Sequence, residues 1–285
     1  MHPFVRWTAL TLAVCLPLSA QAHRAWMLPS ATVLSGEDPW ITVDAAVSND
    51  LFYFEHFPMR IQGIGKIESN PDARRTPAVL QILAPDGSAV EAENGSIGRY
   101  RSTFDVHLTE KGTYKLAIAN NGLFASYKAE GKTQRWMGSA EDFAKQVPAD
   151  AEELKVSQRN SRMEVFVTSG NPTDSVLEPT GKGLELAPVT HPNDLYAGEA
   201  AQFIFLLDGT PAPGVAVSVI RGGSRYRDDL GELTTTSDAD GKVSITWPEA
   251  GMYWLEAELR SSAGVSAPAT ERNASYSATL EVLAP

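Results

Sequence analysis

Short hydrophobic runs with a two-residue period, each followed by a turn signal, constrain the fold of this chain more than any other feature. Residues 41–47 alternate apolar and polar side chains, as a strand with one buried face does. The run 78–84 ends at Pro85-Asp86-Gly87, where proline fixes φ and glycine accepts a positive φ. Further strands are predicted over 100–108, 113–119 and 163–168. Strands this short, at this spacing, indicate a β-sandwich.

The strand pattern starts again after a stretch rich in proline and glycine at 170–183, which is predicted to be a linker. Six more strands are predicted over 184–189, 201–207, 215–220, 243–247, 252–259 and 276–282. Both halves share a glycine-x-tyrosine strand start, at 112–114 and at 251–253. We therefore expect two sandwich domains of related type, 23–169 and 184–285.

One short helical insertion is predicted in the first domain. Ser139 is the expected N-cap, with Asp142 at the capping-box position and Phe143 facing inward. Residues 149–155 are expected to add another turn or two of helix.

The first 22 residues predict an export signal peptide. They contain one positive charge at Arg6, an apolar run over 8–18 and the cleavage signal Ala20-Gln21-Ala22. The run is too short to span a membrane and no other stretch approaches about 20 apolar residues, so we expect a soluble periplasmic protein without membrane insertion. A lipoprotein signal at Cys15 is the alternative, which the bulky residue before it disfavours.

Cleavage after Ala22 would change the chemistry of the remaining chain in two ways. It would remove Cys15, the only cysteine, and with it any disulfide or thiolate metal ligand. It would also make His23 the first residue. Independently, the net charge of -11 argues against nucleic acid as a partner, because an acidic surface repels phosphate.

The histidines outside the signal peptide are the candidate metal ligands: His23, His56, His107 and His191. Neutral imidazole suits nickel, copper, zinc and cobalt. A terminal histidine offers an α-amine and a ring nitrogen from one residue, and the amine yields its proton to a metal at modest cost because its pKa is about 8. One further imidazole would complete a three-nitrogen site, the arrangement called a histidine brace.

Each remaining histidine also has an ordinary structural interpretation. His56 lies in an aromatic loop, where it is either a ligand or an exposed loop residue. His107 is near a strand end, where a surface histidine is the favoured interpretation, whereas His191 precedes a proline and suits a turn. Asp44 and Glu55 are possible carboxylate ligands or partners that orient a ring N–H.

Other motifs point to ordinary structure. The D-x-D-G run at 238–241 opens like a calcium loop, but it lacks the later glutamate and the flanking helices, so a hairpin turn is predicted. Arg225 and Arg227 either bind an anionic group or pair with the neighbouring Asp228 and Asp229. No G-x-S-x-G nucleophile motif occurs in the sequence.

Motifs in both halves carry a family resemblance. The segments 208–214, 236–241 and 248–253 resemble the D-G-x-P-x-x-G, T-x-D-x-D-G and P-x-x-G-x-Y pattern of transthyretin-like and carboxypeptidase-regulatory-like sandwiches. Along the whole chain, the segments 23–29, 55–58, 166–170 and 190–195 resemble the DUF4198 family of exported proteins, which is similar to periplasmic components of nickel and cobalt uptake systems. The resemblance implies an all-β fold of two tandem Ig-like or transthyretin-like β-sandwich domains.

The resemblance and the histidines together predict the function. We expect an exported protein, not an enzyme, that captures a divalent transition metal and passes it to a membrane transporter or an outer-membrane receptor system. Nickel or cobalt follows from the resemblance, whereas three nitrogen donors favour copper on affinity. Two alternatives stay open: a structural or interaction module of the cell envelope that binds no metal, and a copper-dependent polysaccharide monooxygenase.

Overall fold

In the computed structural model of the protein, residues 23–66 and 77–285 are described. The predicted signal peptide, 1–22, lies outside them. The first half contains ten strands within the described residues: β1 (Arg24–Pro29), β2 (Val33–Leu34), β3 (Trp40–Ser48), β4 (Phe57–Pro58), β5 (Leu80–Leu83), β6 (Glu93–Ile97), β7 (Ser102–His107), β8 (Gly112–Ala129), β9 (Lys132–Gly138) and β10 (Glu152–Ser169). The second half contains β11 (Leu184–Pro188), β12 (Ala200–Leu207), β13 (Thr210–Pro211), β14 (Ala216–Arg221), β15 (Leu233–Thr236), β16 (Lys242–Thr246), β17 (Gly251–Ser261) and β18 (Glu271–Val282).

The first sandwich packs one sheet against part of a second. Strands β1, β3, β7 and β6 form the first sheet, with β4 added to β3. The alternation along β3 places Ile41, Val43 and Ala45 in the core. There they share one cluster with Leu116 of β8 and Val165 of β10, which belong to the opposite sheet. The period of two in the sequence therefore marks the buried face.

The second sandwich has the same two-layer construction. In its smaller sheet β12 pairs with β11, β13 and β16. Phe203 and Phe205 of this sheet are fully buried against Val217, Leu255 and Tyr276 of the opposite layer. The prediction of an all-β chain with two tandem sandwiches and one short helix is confirmed.

A single sheet of nine strands runs through both sandwiches. Strands β8 and β10 are each 18 residues long and pair with each other along almost their whole length. Strand β10 then pairs in parallel with β18 of the second sandwich, from Ser157 opposite Glu271 to Val165 opposite Thr279. The two halves are thus joined by a ladder of backbone hydrogen bonds as well as by the chain itself.

The segment predicted to be a linker has structure of its own. It contains a 3₁₀ helix, Ser175–Leu177, of which Val176 and Leu177 are buried against Phe166. Further along, the carboxylate of Glu185 accepts backbone hydrogen bonds from residues 180, 181 and 182. These contacts hold the segment against both halves of the protein.

A matching tyrosine explains the similarity between the two strand starts. The hydroxyl of Tyr253 donates to the carbonyl of Glu249 at 2.8 Å, and that of Tyr114 donates to the carbonyl of Glu110 at 3.2 Å. Each ties the start of a strand to the turn four residues upstream, as the tyrosine corner of Greek-key sandwiches does.

The helix α1 (Ala140–Gln146) begins where the sequence predicts. The hydroxyl of Ser139 accepts the amide of Asp142 at 3.1 Å, which satisfies one of the free N–H groups of the first turn. The expected extra helical turns at 149–155 are wrong, because β10 begins at Glu152. There the backbone pairs with Lys128 of β8, so a partner strand decides the conformation.

Candidate functional site

Two of the four candidate histidines meet at one end of β3. Strand β1 pairs with one edge of β3 and β4 with the other, so that Arg24 is opposite Ser48 and Phe57 is opposite Val47. His23 and His56 come directly before these two strands in sequence. Their rings are in contact, with centroids 4.2 Å apart and planes at 56°. His23 is exposed and His56 is half-buried, so solvent reaches the pair.

The loop 49–56, which ends at His56, is held by its own polar groups. The carboxylate of Glu55 accepts the amides of Asn49 at 2.7 Å and Asp50 at 2.9 Å. The side-chain amide of Asn49 lies 3.0 Å from Nε2 of His56, so the first and last residues of the loop are in contact. The hydrogen bond from Asp50 holds the pKa of Glu55 below its ordinary value, with smaller contributions in the same direction from Asn49, His56 and Arg225, while burial opposes them.

A buried aromatic residue anchors the start of β1. Trp26 is fully buried and donates from Nε1 to the hydroxyl of Ser48 at 2.8 Å. The edge of its ring packs against Phe52 of the loop, with centroids 5.4 Å apart. On the other side, Nε1 of Trp254 donates to the carbonyl of Ala25 at 3.3 Å. The backbone beside His23 is therefore fixed from two directions.

His107 lies far from this pair. It is opposite Trp40, whereas Arg24 is opposite Ser48, so the length of β3 separates the two places by about 26 Å. Its ring stacks on Trp40 with centroids 4.1 Å apart, and Nε2 lies 2.5 Å from Asp38. The structure thus places His107 in a surface hydrogen bond with Asp38 and does not bring it to His23.

His191 also lies elsewhere, at the junction of the two sandwiches. Its Nδ1 accepts the amide of Asn193 at 3.1 Å, and its Nε2 lies 3.1 Å from the hydroxyl of Thr113. Burial lowers the pKa of His191, so the ring is neutral at pH 7. Thr113 also contacts Thr168, whose backbone amide donates to the carbonyl of Thr32. The whole of β1, about 20 Å long, lies between Thr32 and His23. Both ring nitrogens therefore serve a structural contact.

The two candidate carboxylates also have local partners. Asp44 pairs with Arg101 at 3.3 Å and accepts a hydrogen bond from Thr103. Across residues 23–66 and 77–285, no three His, Cys, Asp or Glu side chains gather in a metal-binding geometry. A third nitrogen beside the histidine pair would have to be the α-amine of His23, which becomes free only after cleavage at Ala22.

An open cleft is lined in part by His23, and no motif in the sequence predicts it. Its volume is about 1710 Å³. Its floor is the outward face of the nine-stranded sheet, which carries Asn120, Ser157, Ser275 and Glu256. Burial, together with the nearby Glu258 and Glu232, raises the pKa of Glu256 to about 7, against the effect of Arg24. The alternation along β17 was the signal that could have shown this polar face.

Among the described residues, the loop with two arginines forms no ion pair between Arg225 or Arg227 and the neighbouring Asp228 or Asp229. Arg227 donates to the carbonyls of Gly222, Arg221 and Leu230. The guanidinium of Arg225 instead lies 4.1 Å above the ring of Tyr53, in the loop that carries His56. The arginines therefore organise the loop and its contact with the first sandwich.

Comparisons with known proteins identify a family and only distant structural likenesses. The family described as a domain of unknown function (DUF4198) matches residues 20–261. No curated protein matches the chain. No helix among the described residues is long and apolar enough to cross a membrane.

Three solved structures resemble the chain weakly. The D0-D1 domain of intimin is 11% identical, with 90% of this chain and 97% of that one covered and a TM-score of 0.22. The adhesin InvE of Yersinia pseudotuberculosis is 12% identical, with coverages of 90% and 58% and a TM-score of 0.20. An alpha-2-macroglobulin from Escherichia coli is 13% identical, with coverages of 90% and 23% and a TM-score of 0.18. Likenesses this distant support no inference about binding or activity.

Proposed function

The chain belongs to the DUF4198 family, and from this premise we propose that it is an exported protein that binds a divalent transition metal through His23 and His56. One observation carries the proposal: the rings of these two residues, 33 positions apart in the sequence, are in contact at 4.2 Å. Of the four candidate histidines, these two are the ones that the fold brings together.

The α-amine of His23 supplies the third donor. Once the signal peptide is removed, this amine and the His23 ring form a chelate within one residue, and the His56 ring completes three nitrogens. Each donor must be deprotonated to bind a metal, so binding releases protons. Such a set has the highest affinity for Cu(II) among the first-row divalent ions, with Ni(II) and Co(II) weaker.

The surroundings support binding and release rather than a structural metal. His23 is exposed, so an incoming ion and a receiving protein can both reach it. The site lies at the end of a strand and is anchored by Trp26, so metal binding orders only a short terminal arm. We propose that the protein works in the periplasm and passes its metal to a membrane transporter or an outer-membrane receptor system. Nickel or cobalt is the cargo suggested by the family resemblance.

A titration with matched histidine variants tests this function. Protein confirmed by mass to begin at His23 is titrated with Cu(II), Ni(II), Co(II), Zn(II) and Fe(II), and compared with H56A and H107A. We expect one-to-one binding of the metal. H56A should weaken it at least about tenfold because it removes one of the ligands, and H107A should leave it unchanged because His107 lies far from the site. Equal, weak binding by all three proteins would contradict the proposal and favour an interaction module without a metal.

A further inference from the structure

The second sandwich touches the loop 49–56 directly. A Cβ on Gly222 would lie 2.7 Å from Cδ2 of Phe52, so the loop packs against bare backbone there. Arg225 lies 4.1 Å above Tyr53, and the hydroxyl of Ser224 is 3.5 Å from Asp50. Three successive parts of the loop are thus contacted by residues 222–225 of the other domain.

A shared apolar cluster lies beneath these contacts. Leu51 of the loop and Trp26 of β1 are buried together with Ile220 and Trp254, which belong to the second sandwich. Phe52 packs on the edge of the same cluster. The loop is therefore supported from below, as well as held from the side, by the second domain.

The backbone of the loop needs this support. Phe52 has a φ of 61°, in the left-handed region that side chains with a Cβ rarely adopt. Such a conformation is strained and persists only where the surroundings determine it. The absence of a side chain at Gly222 leaves room for the Phe52 ring in that conformation.

We infer that the second sandwich sets the position of His56, with Arg225 as the main positioning residue. The path runs partly through contacts and partly along the backbone of the loop. Arg225 covers Tyr53, Glu55 two residues later binds the amide of Asn49, and the side chain of Asn49 contacts the ring of His56. The inference rests on the proposed function in one respect: it makes the second domain a part of the metal site.

The first test measures His56 without any metal. The ring nitrogen and carbon chemical shifts of His56 are recorded at one fixed pH in the wild type, R225A, R225K and G222A. We expect R225A and G222A to shift these resonances because the ring loses its fixed contact with Asn49, and R225K to restore most of the wild-type spectrum because lysine keeps the cation over Tyr53. The matched control is R99A, since Arg99 makes the same kind of contact with the ring of Tyr100, which is outside the loop and in the first sandwich.

The second test measures Cu(II) affinity for the same set. Because a cation–π contact at an exposed position is weak, we expect R225A to bind Cu(II) about two- to fivefold less tightly than the wild type. R225K and R99A should bind it about as tightly as the wild type. Thermal unfolding separates positioning from misfolding, since we expect the melting temperature of R225A to stay near that of the wild type.

The two tests distinguish failure of the inference from failure of the proposed function. If the wild type binds no metal but R225A still shifts His56, positioning by the second domain is supported and metal binding is not. If the wild type binds metal while R225A and G222A change neither the spectrum nor the affinity, the positioning inference is overturned and the proposed function stands.

Discussion

Glu256 gives a prediction whose size follows from the structure. Its carboxyl lies on the cleft floor, where burial raises its pKa from 4.5 to about 7. A raised carboxyl pKa means that the folded protein keeps a proton that the unfolded chain loses between pH 4.5 and 7. Stability is therefore lost as the pH rises through this window. Since one unit of pKa is worth about 1.4 kcal/mol, the loss reaches about 3 kcal/mol at pH 8 but only about 1 kcal/mol at pH 5.

The substitution E256Q removes the ionisable group and keeps the shape. Urea unfolding should then show a gain of about 2–3 kcal/mol at pH 8 and about 1 kcal/mol or less at pH 5. The matched control is E199Q, because Glu199 is an exposed glutamate of the second sandwich and is not among the groups that shift the pKa of Glu256; it should change stability by less than about 0.5 kcal/mol at either pH. A gain for E256Q that does not depend on pH would refute the electrostatic reasoning.

Three further predictions concern the histidines. The variant N49A should lower Cu(II) affinity about 10- to 100-fold by calorimetry, because the ring of His56 loses the amide that orients it, and an unchanged affinity would remove Asn49 from the site. The variant H107A should leave metal affinity unchanged and cost less than about 1 kcal/mol in urea unfolding, because its hydrogen bond with Asp38 is at the surface; a weaker metal complex would contradict this assignment. The variant H191A should cost about 1–3 kcal/mol at pH 7, since it leaves the amide of Asn193 unpaired. Folding lowers the pKa of His191 from 6.5, so the unfolded chain takes up a proton first and wild-type stability should fall as the pH drops below 6.5. If H191A keeps this pH dependence, another group causes it.

The sequence predicts the sandwiches but not the sheet that joins them. Alternation of apolar residues identifies the buried faces, and Ser139 identifies the helix start, because both signals are local. The strand predicted over 113–119 ends before Asn120-Asn121-Gly122, which has the composition of a turn. In the structure β8 continues through these residues, since β10 pairs with the whole run. That pairing is a contact between distant segments, and no local pattern contains it.

The sequence predicts which types of residue form the candidate site, but only partly which individual residues belong to it. Imidazoles and a terminal amine suggest metal chemistry, but which of them meet depends on how β1 and β4 pair with β3. His107 and His191 contact Asp38 and Thr113, which are 69 and 78 positions away in the sequence. Their surroundings follow from the assembled fold. The support of the loop by Arg225 is of the same kind, because it crosses from one domain to the other.

The most direct test of the account is whether metal binding needs the free α-amine of His23. Two forms of the protein would be compared by Cu(II) competition titration and electron paramagnetic resonance: the chain that begins at His23, and the same chain with its terminal amine acetylated. The account predicts tight one-to-one binding with a three-nitrogen signal in the first form and a loss of at least about tenfold in the second, because acetylation removes one donor and leaves both rings. Equal affinities and equal spectra for the two forms would contradict it.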